Sequence, residues 1–413
     1  MWKAVDCNAI LFTCRLQANK KRERVREAII QKDLLHLAGV LPHRGANTER
    51  EREAAEYLQR RLRESLADVE IDSFRSVGDS LRVAAAYYGE FAFVAVLAHW
   101  FPYAAFTYGL AVFMAYLAEL AGYGLSAKLL AQFDTQNVVG RLLGIRPRRL
   151  VILTAHYDSP KSTVLARPCA WRQARWMHLG LVVSMAAVLI SCLTQGSGLF
   201  EEDGFRMDFF VRWTAVAALV CMALHLFFQA RTEDYLLGAN DNASGVAALL
   251  DVADRLAAAP PEQLDVWFVA TGASEGWMSG MRRLFQTHAF ERRETFFINL
   301  DRVGGETPVI VSGEGLLHGF HASRRLIAMA KHSGAAYGAI HRKRADMPSE
   351  AIVPLARGFE AITLSSDGQH DNASLDDLAE ETFRSVNPAT VAATAAIAAG
   401  IIRKLEATAC DRA

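Results

Sequence analysis

Five short segments carry residue types able to bind a divalent cation and assist hydrolysis: Ala155-His156-Tyr157-Asp158-Ser159, Gly238-Ala239-Asn240-Asp241-Asn242-Ala243-Ser244-Gly245, Ala273-Ser274-Glu275-Gly276, Asn299-Leu300-Asp301 and Gln369-His370-Asp371. Each follows a predicted strand or opens a predicted helix. In an open α/β sheet, ligands bind beyond the carboxyl ends of the strands, so segments distant in sequence can converge there. The candidate ligands are His156, Asp241, Glu275, Asp301 and His370, two imidazoles and three carboxylates. Such a mixed nitrogen and oxygen set suits Zn2+ better than calcium or a thiolate site. Taken singly, each has a plainer reading: His156 as a hydrogen-bonded core histidine, Asp241 as a helix cap, Asp301 as a turn residue, Glu275 as a solvated loop charge and His370 as a surface histidine. Their joint occurrence carries the argument.

The elements that must position these segments are legible from periodicity. Residues 25–66 read as largely helical, broken near Pro42, with Ala55, Leu58, Leu62 and Leu66 on one face and a start at Asn47-Thr48. Val69 to Phe74 alternates like a half-buried strand. Further strands are predicted over 136–140, 149–154, 264–270, 295–300, 308–311 and 361–364, and helices over 243–257 and 388–405. The strand over 149–154 is apolar enough to be central.

Four apolar runs interrupt this pattern: 81–101, 102–123, 177–194 and 209–228. Each is about long enough to cross a bilayer as a helix. They read as two transmembrane hairpins, 81–124 and 160–236, inserted into a discontinuous domain made of 25–80, 125–159 and 237–410. Glu90, Glu119 and Arg212 within the runs count toward the alternative of buried core helices, because intramembrane charge is expensive. Arg75, Arg82, Lys128, Arg167, Arg172, Arg175 and Arg231 flank the hairpins where they join the rest of the chain, whereas the second tip carries Glu201, Glu202 and Asp203. The positive-inside rule then predicts an integral protein of the inner membrane with its main domain in the cytoplasm.

Composition agrees. Lys and Arg number 45, as do Asp and Glu. That balance excludes the basic surface that nucleic acid requires. Six cysteines without metal-type spacing argue against a disulfide framework and for a reduced compartment. The N-terminus has an apolar patch before its basic run, the reverse of a signal peptide.

In this order, the five segments resemble metallopeptidase family 28, the co-catalytic di-zinc aminopeptidases and their carboxypeptidase relatives. Leu41-Pro42-His43-Arg44 is similar to the family's opening, Gln136 to Gly140 to its strand before the first ligand, and the GAxDNxSG segment is the most specific match. The resemblance implies a di-zinc aminopeptidase-like α/β fold, a mixed sheet flanked by helices, holding two zinc ions. It implies that His156 binds one ion with Asp158 orienting it, that Asp241 bridges both, and that Glu275, Asp301 and His370 complete the shells.

One departure stands out. The family has adjacent glutamates, a general base followed by a ligand, where this chain reads Ser274-Glu275. Counting from Phe268 and from Gly280 puts Ser274 at the base position; a loop shifted by one residue would instead make Glu275 the base. A serine hydroxyl is no proton acceptor near neutral pH, so a contribution of roughly 10²–10⁴-fold would be absent. Trp277 stands where a glycine is usual. Three functions follow: an aminopeptidase-type enzyme cutting an amide of a peptide or aminoacyl substrate, amphipathic or lipid-linked near the bilayer; an enzyme using the metals for amide formation or aminoacyl transfer; or a metal-binding scaffold.

Overall fold

A computed structural model describes residues 7–125, 130–163, 168–197, 204–345, 348–367 and 382–410. His370, Lys128, Arg167 and the acidic tip Glu201 to Asp203 lie outside them.

The N-terminal part is two helices, α1 (Cys7–Leu34) and α2 (Glu49–Arg63), separated by a turn of π-helix at Leu35–Val40 that ends just before Pro42. Thr48 caps α2, its side chain accepting from the Glu51 N–H, with Glu49 and Glu51 at the positive end of the dipole. Ala54, Ala55, Leu58 and Leu62 form its buried face.

The strands are β1 (Asp68–Ser76), β2 (Phe133–Leu142), β3 (Arg149–His156), β4 (Leu264–Thr271), β5 (Thr295–Leu300), β6 (Thr307–Val311), the short β7 (Gly313–Glu314), β8 (Phe320–His321) and β9 (Ile340–Arg342), and β10 (Glu360–Asp367). Eight of them make one mixed sheet in the order β1-β2-β4-β3-β5-β10-β6-β9. β4, β3, β5 and β10 are mutually parallel neighbours, so their carboxyl ends share one edge. β3 is central as its sequence predicts. Its side chains divide with period two: Val151, Leu153 and Ala155 enter the main core, and Ile152 the core on the opposite face.

The main core is closed by α7 (Gly245–Ala257), α9 (Arg324–Gly334) and α11 (Pro388–Cys410) together with α1 and α2. The smaller core lies under α8 (Ser279–Thr287) and α10 (Ile352–Ala356), where Met281, Leu284, Ile352 and Val353 meet Phe297.

The four apolar runs form helices α3 (Ser80–Leu97), α4 (Pro102–Leu120), α5 (Pro168–Ser197) and α6 (Gly204–Thr232), longer in the second pair than periodicity indicated. They pack on one another around Tyr88, Phe91, Tyr116, Met185, Val188 and Leu219. Each contains a stretch long and apolar enough to cross a membrane. Pro388–Ala409 also meets that measure, but Val391, Ala395, Ile401, Ile402 and Leu405 bury its apolar side in the main core. On α3 to α6 and at the α3–α4 tip, by contrast, Phe93, Trp100, Phe101, Met114, Val183, Ile190, Phe210 and Phe228 are exposed.

The charges within these helices have partners. Tyr108 donates to Glu90 at 2.6 Å, Tyr87 donates to Glu119 at 3.1 Å, and Arg212 donates to Gln195. The second hairpin leaves and re-enters the chain through a narrow stem. Lys161 lies opposite Tyr235 there, with Ser162 N–H on the Asp234 carbonyl and Leu236 N–H on that of Pro160, both 2.8 Å.

Candidate metal centre

β3 ends on His156, β4 runs into Ser274-Glu275, and β5 is followed by Asp301, so three of the sequence-predicted segments meet at one edge because their strands are parallel neighbours. Asp241 comes from the turn before α7. Side chains of its own segment stitch that turn to the loop after β5. Asn242 donates to the Leu300 carbonyl at 2.9 Å and accepts from the N–H groups of Gly245 and Arg302 at 3.1 and 3.0 Å. Ser244 and Asn240 accept from the Val303 and Gly304 N–H groups at 3.0 and 2.8 Å. Gly245 is required by close approach, since a β-carbon there would stand 2.5 Å from the Leu300 oxygen. The GAxDNxSG segment is therefore a fastening between two ligand-bearing loops.

The geometry selects one imidazole nitrogen. His156 Nδ1 lies 3.1 Å from the Asp158 carbonyl oxygen and 3.4 Å from its Oδ1. A proton on Nδ1 bonds the Asp158 carbonyl and faces its carboxylate, which leaves Nε2 as the free ligand atom. Nε2 faces Asp241 Oδ1 at 3.2 Å and Asp301 Oδ1 at 3.7 Å. One donor atom from each of these three residues lies within 4.8 Å of the others. The outer oxygens turn to Arg302, with Asp301 Oδ2 at 2.9 Å and Asp241 Oδ2 at 3.9 Å. One imidazole nitrogen and two carboxylate oxygens converging from separate loops are a donor set that fits zinc.

Electrostatics point the same way. Burial opposes protonation of His156, yet hydrogen bonds to Asp158, Asp241 and Asp301 hold its pKa well above the ordinary value. Burial likewise opposes ionisation of Asp301, but Arg302 and His156 bring it below the usual range. Glu275 is pushed up by burial, then by Asp241 and Asp158. A site that crowds carboxylates around a histidine is short of positive charge, which a divalent cation supplies.

Glu275 and Ser274 line the same cavity as His156, Asp241 and Asp301. The Glu275 N–H donates to Asp158 Oδ2 at 2.9 Å, so Asp158 ties this loop to His156 as well as orienting the ring. The structure thus brings together His156, Asp158, Asp241, Ser274, Glu275 and Asp301.

Three groups at the site had no site role legible in the sequence. Arg44 is fully buried and donates to the carbonyls of Tyr157 and Gly238 at 2.8 and 2.7 Å, bracing the segments that carry His156 and Asp241; burial lowers its pKa to about 10. Glu51 accepts from the N–H groups of Ala273 and Asn47 at 2.8 and 2.7 Å and from Thr135 at 2.9 Å. Its only sequence signal, Thr48 three residues earlier, suggests a helix cap and conceals the link to the Ser274 loop. Glu350 lies in the cavity wall and had no signal at all.

The architecture is that of the zinc aminopeptidases. The aminopeptidase from Aneurinibacillus sp. strain AM-1 superposes with a TM-score of 0.54 at 12% identity, over 92% of this chain and 93% of that one. BSAP, a zinc aminopeptidase from Bacillus subtilis, gives 0.53 at 12% over 92% and 95%. LapB from Legionella pneumophila gives 0.52 at 12% over 92% and 72%. At such identity these likenesses speak for the fold. No curated protein matches the chain by sequence. The model of Peptidase family M28 matches residues 223–401, a span that includes Asp241, Glu275 and Asp301. The resemblance to metallopeptidase family 28 read from the five segments is borne out.

Proposed function

We propose that this chain is a membrane-anchored, zinc-dependent enzyme of aminopeptidase type, acting on an amide bond of an aminoacyl or peptide substrate that carries an apolar tail. The observation that carries this reading is the cavity. It has a volume of about 350 Å³ and is lined both by His156, Asp241, Glu275 and Asp301 and by Leu81, Tyr88, Met177, Leu181, Met222 and Leu226 of α3, α5 and α6. A cavity whose wall combines candidate ligands with apolar side chains of the helices suits an amphipathic molecule, with the apolar part as an arm for its tail.

The anchoring rests on the length and hydropathy of α3 to α6 together with their exposed apolar side chains, such as Phe93, Met114, Val183, Ile190, Phe210 and Phe228. In this reading 81–124 and 160–236 are transmembrane hairpins inserted into a peptidase-like domain of 25–80, 125–159 and 237–410, which faces the cytoplasm from the inner membrane. The zinc aminopeptidases of similar fold support the choice of metal. His156, Asp241, Glu275 and Asp301, with His370 from outside the described residues, would hold zinc, two ions if the family's pattern is kept. Bound there, zinc polarises a substrate carbonyl and stabilises the charge that develops on it. The protein's part is to fix the ring of His156 through Asp158 and to hold the loops carrying Asp241 and Asp301 together.

Aminoacyl alkylamides of graded tail length test the proposal on detergent-purified protein. Each methylene buried in the apolar arm contributes about 0.8 kcal/mol. We therefore expect kcat/KM to rise roughly four-fold per methylene until the arm is full, and to vanish on chelation. Hydrolysis indifferent to tail length would remove the amphipathic substrate. Bound zinc without hydrolysis, but with aminoacyl transfer to an amine, would favour the non-hydrolytic alternative, for which the serine at position 274 is the motive.

A further inference from the structure

We propose that Trp277 is a specificity-determining residue of this site: its ring is a wall that admits a substrate with an unbranched chain on the amide nitrogen and turns away one branched at the first carbon. The proposal rests on the amide-bond reading above.

Trp277 follows Glu275 by two residues in the loop after β4, so it starts beside a candidate ligand. Its half-buried side chain packs against the apolar core of α3 to α6. The indole N–H donates to the Glu119 carbonyl at 2.7 Å. Trp277 lines the cavity together with Ser274 and Glu275 of its own loop and with Leu120 and Met222 of α4 and α6. One side chain thus belongs both to the loop that bears Glu275 and to the apolar lining that would take the tail. With only two side-chain torsions and its N–H fixed, the ring is a rigid plate.

The backbone shows that this ring is kept against a local preference. Trp277 has a φ of 67°, in the left-handed region, where a β-carbon is strained and glycine is favoured. Glycine is also the usual residue here in the family that the five segments resemble. The conformation that suits glycine is therefore retained under a bulky side chain, and strain of this kind points to function. Holding the loop does not require the ring. The Ser80 N–H on the Glu275 carbonyl at 2.8 Å, Arg282 on Glu119 at 3.2 Å and the Ser279 hydroxyl on the Gly276 carbonyl at 2.6 Å fasten the same segment. What tryptophan adds is bulk in the cavity wall.

A flat wall beside the ligand loop favours one shape of chain. A straight run of methylenes can lie along the ring in van der Waals contact. A methyl branch at the carbon next to the amide nitrogen must overlap the ring or carry the amide away from the candidate ligands. A rigid site resists such overpacking, and one methylene in an apolar pocket changes selection about 10–200-fold.

The test uses the whole chain in detergent with zinc, and two aminoacyl octylamides, one linear and one branched at the carbon bearing the nitrogen. Wild type should favour the linear amide in kcat/KM by about 10–200-fold, with the difference carried by KM. Trp277→Phe, which keeps a ring and loses the N–H bond, should hold that preference to within about three-fold. Trp277→Gly should bring the ratio below about three-fold, the branched amide gaining through its KM. Trp277→Asn also tolerates left-handed backbone and takes the place of a glycine variant that does not fold. A wild type indifferent to the branch overturns the proposal, as does a glycine or asparagine variant that keeps the preference. A phenylalanine variant that loses it entirely also overturns the proposal and makes the indole only a pin for the loop. Calorimetric binding of the two octylamines to the zinc-loaded protein gives an arm independent of turnover. A preference for the linear amine that Trp277→Gly erases, in a protein that hydrolyses neither amide, leaves the wall standing and overturns the amide-bond reading. Hydrolysis of both amides without preference overturns the wall and leaves that reading standing.

Discussion

The backbone N–H of Ser80, the first residue of α3, donates to the carbonyl of Glu275 at 2.8 Å. On the far side of the same loop, the Trp277 indole donates to the Glu119 carbonyl at 2.7 Å, near the end of α4. The loop bearing Ser274 and Glu275 is thus pinned between the beginning and the end of one apolar hairpin. The tryptophan that departs from the family pattern is one of the pins.

A further fastening is ionic. Arg282 of α8 lies 3.2 Å from Glu119, with the two side chains 5% and 0% exposed. Breaking a buried pair by removing one partner costs about 3–5 kcal/mol, because the other charge is left uncompensated. Arg282→Met should therefore lower the thermal midpoint sharply. The double variant Arg282→Met, Glu119→Gln should recover much of the loss, since the amide keeps an acceptor for Tyr87. Equal midpoints for the single and double variants would show that the pair does not fasten the hairpin.

A second prediction concerns the stitching of the two ligand loops. Asn242→Ala leaves the Leu300 carbonyl and the Gly245 and Arg302 N–H groups without the partner they now share. Each buried group left unpaired costs about 1–3 kcal/mol. Thermal melting and zinc analysis should show a destabilised protein with poor metal retention, because Asp241 and Asp301 lose their common anchor. Asn242→Asp, which keeps the two acceptor bonds, should lie between. A stable Asn242→Ala protein with full zinc content would reduce the motif to a helix cap.

How much of this was legible in the sequence follows from which interactions are local. The alternation of β3 and the α2 face are read directly because neighbouring residues share one environment, and β5 was predicted at its observed limits for the same reason. His156, Asp241, Glu275 and Asp301 could be nominated because each sits in a recognisable segment at an element's end. Glu350 could not, since the Thr271 hydroxyl it accepts from is 79 residues away in sequence. Arg44 was noticed as part of an opening motif, but its role depends on carbonyls about 113 and 194 positions distant. The short strands β7 to β9 were missed because two or three residues carry no periodicity.

The proposed membrane insertion yields a prediction of sidedness. Trp100, at the tip between α3 and α4, and Ile145, between β2 and β3, are 65% and 79% exposed. In a background without native cysteines, Trp100→Cys should react with an impermeant maleimide on intact cells. Ile145→Cys should react only after permeabilisation. The reverse pattern would invert the orientation, and a protein released by carbonate washing would remove the crossing altogether.

The metal centre makes the last prediction. Asp158 holds two parts of the site at once: Oδ2 accepts from the Glu275 N–H at 2.9 Å, and Oδ1 stands 3.4 Å from His156 Nδ1. Partners that orient a ligating histidine are worth about 10–100-fold in metal affinity. Asp158→Asn preserves an acceptor for Glu275 but can present an amide N–H to Nδ1, which favours the ring tautomer with its proton on Nε2, the nitrogen meant for zinc. Competition with a chelator should show zinc affinity reduced by that factor and activity regained as zinc is raised. Asp301→Asn, which removes a charged donor at the ion itself, should lose more affinity and recover less. Should Asp158→Asn hold zinc as tightly as wild type, the Asp158 carbonyl oxygen, 3.1 Å from Nδ1, suffices to set the ring.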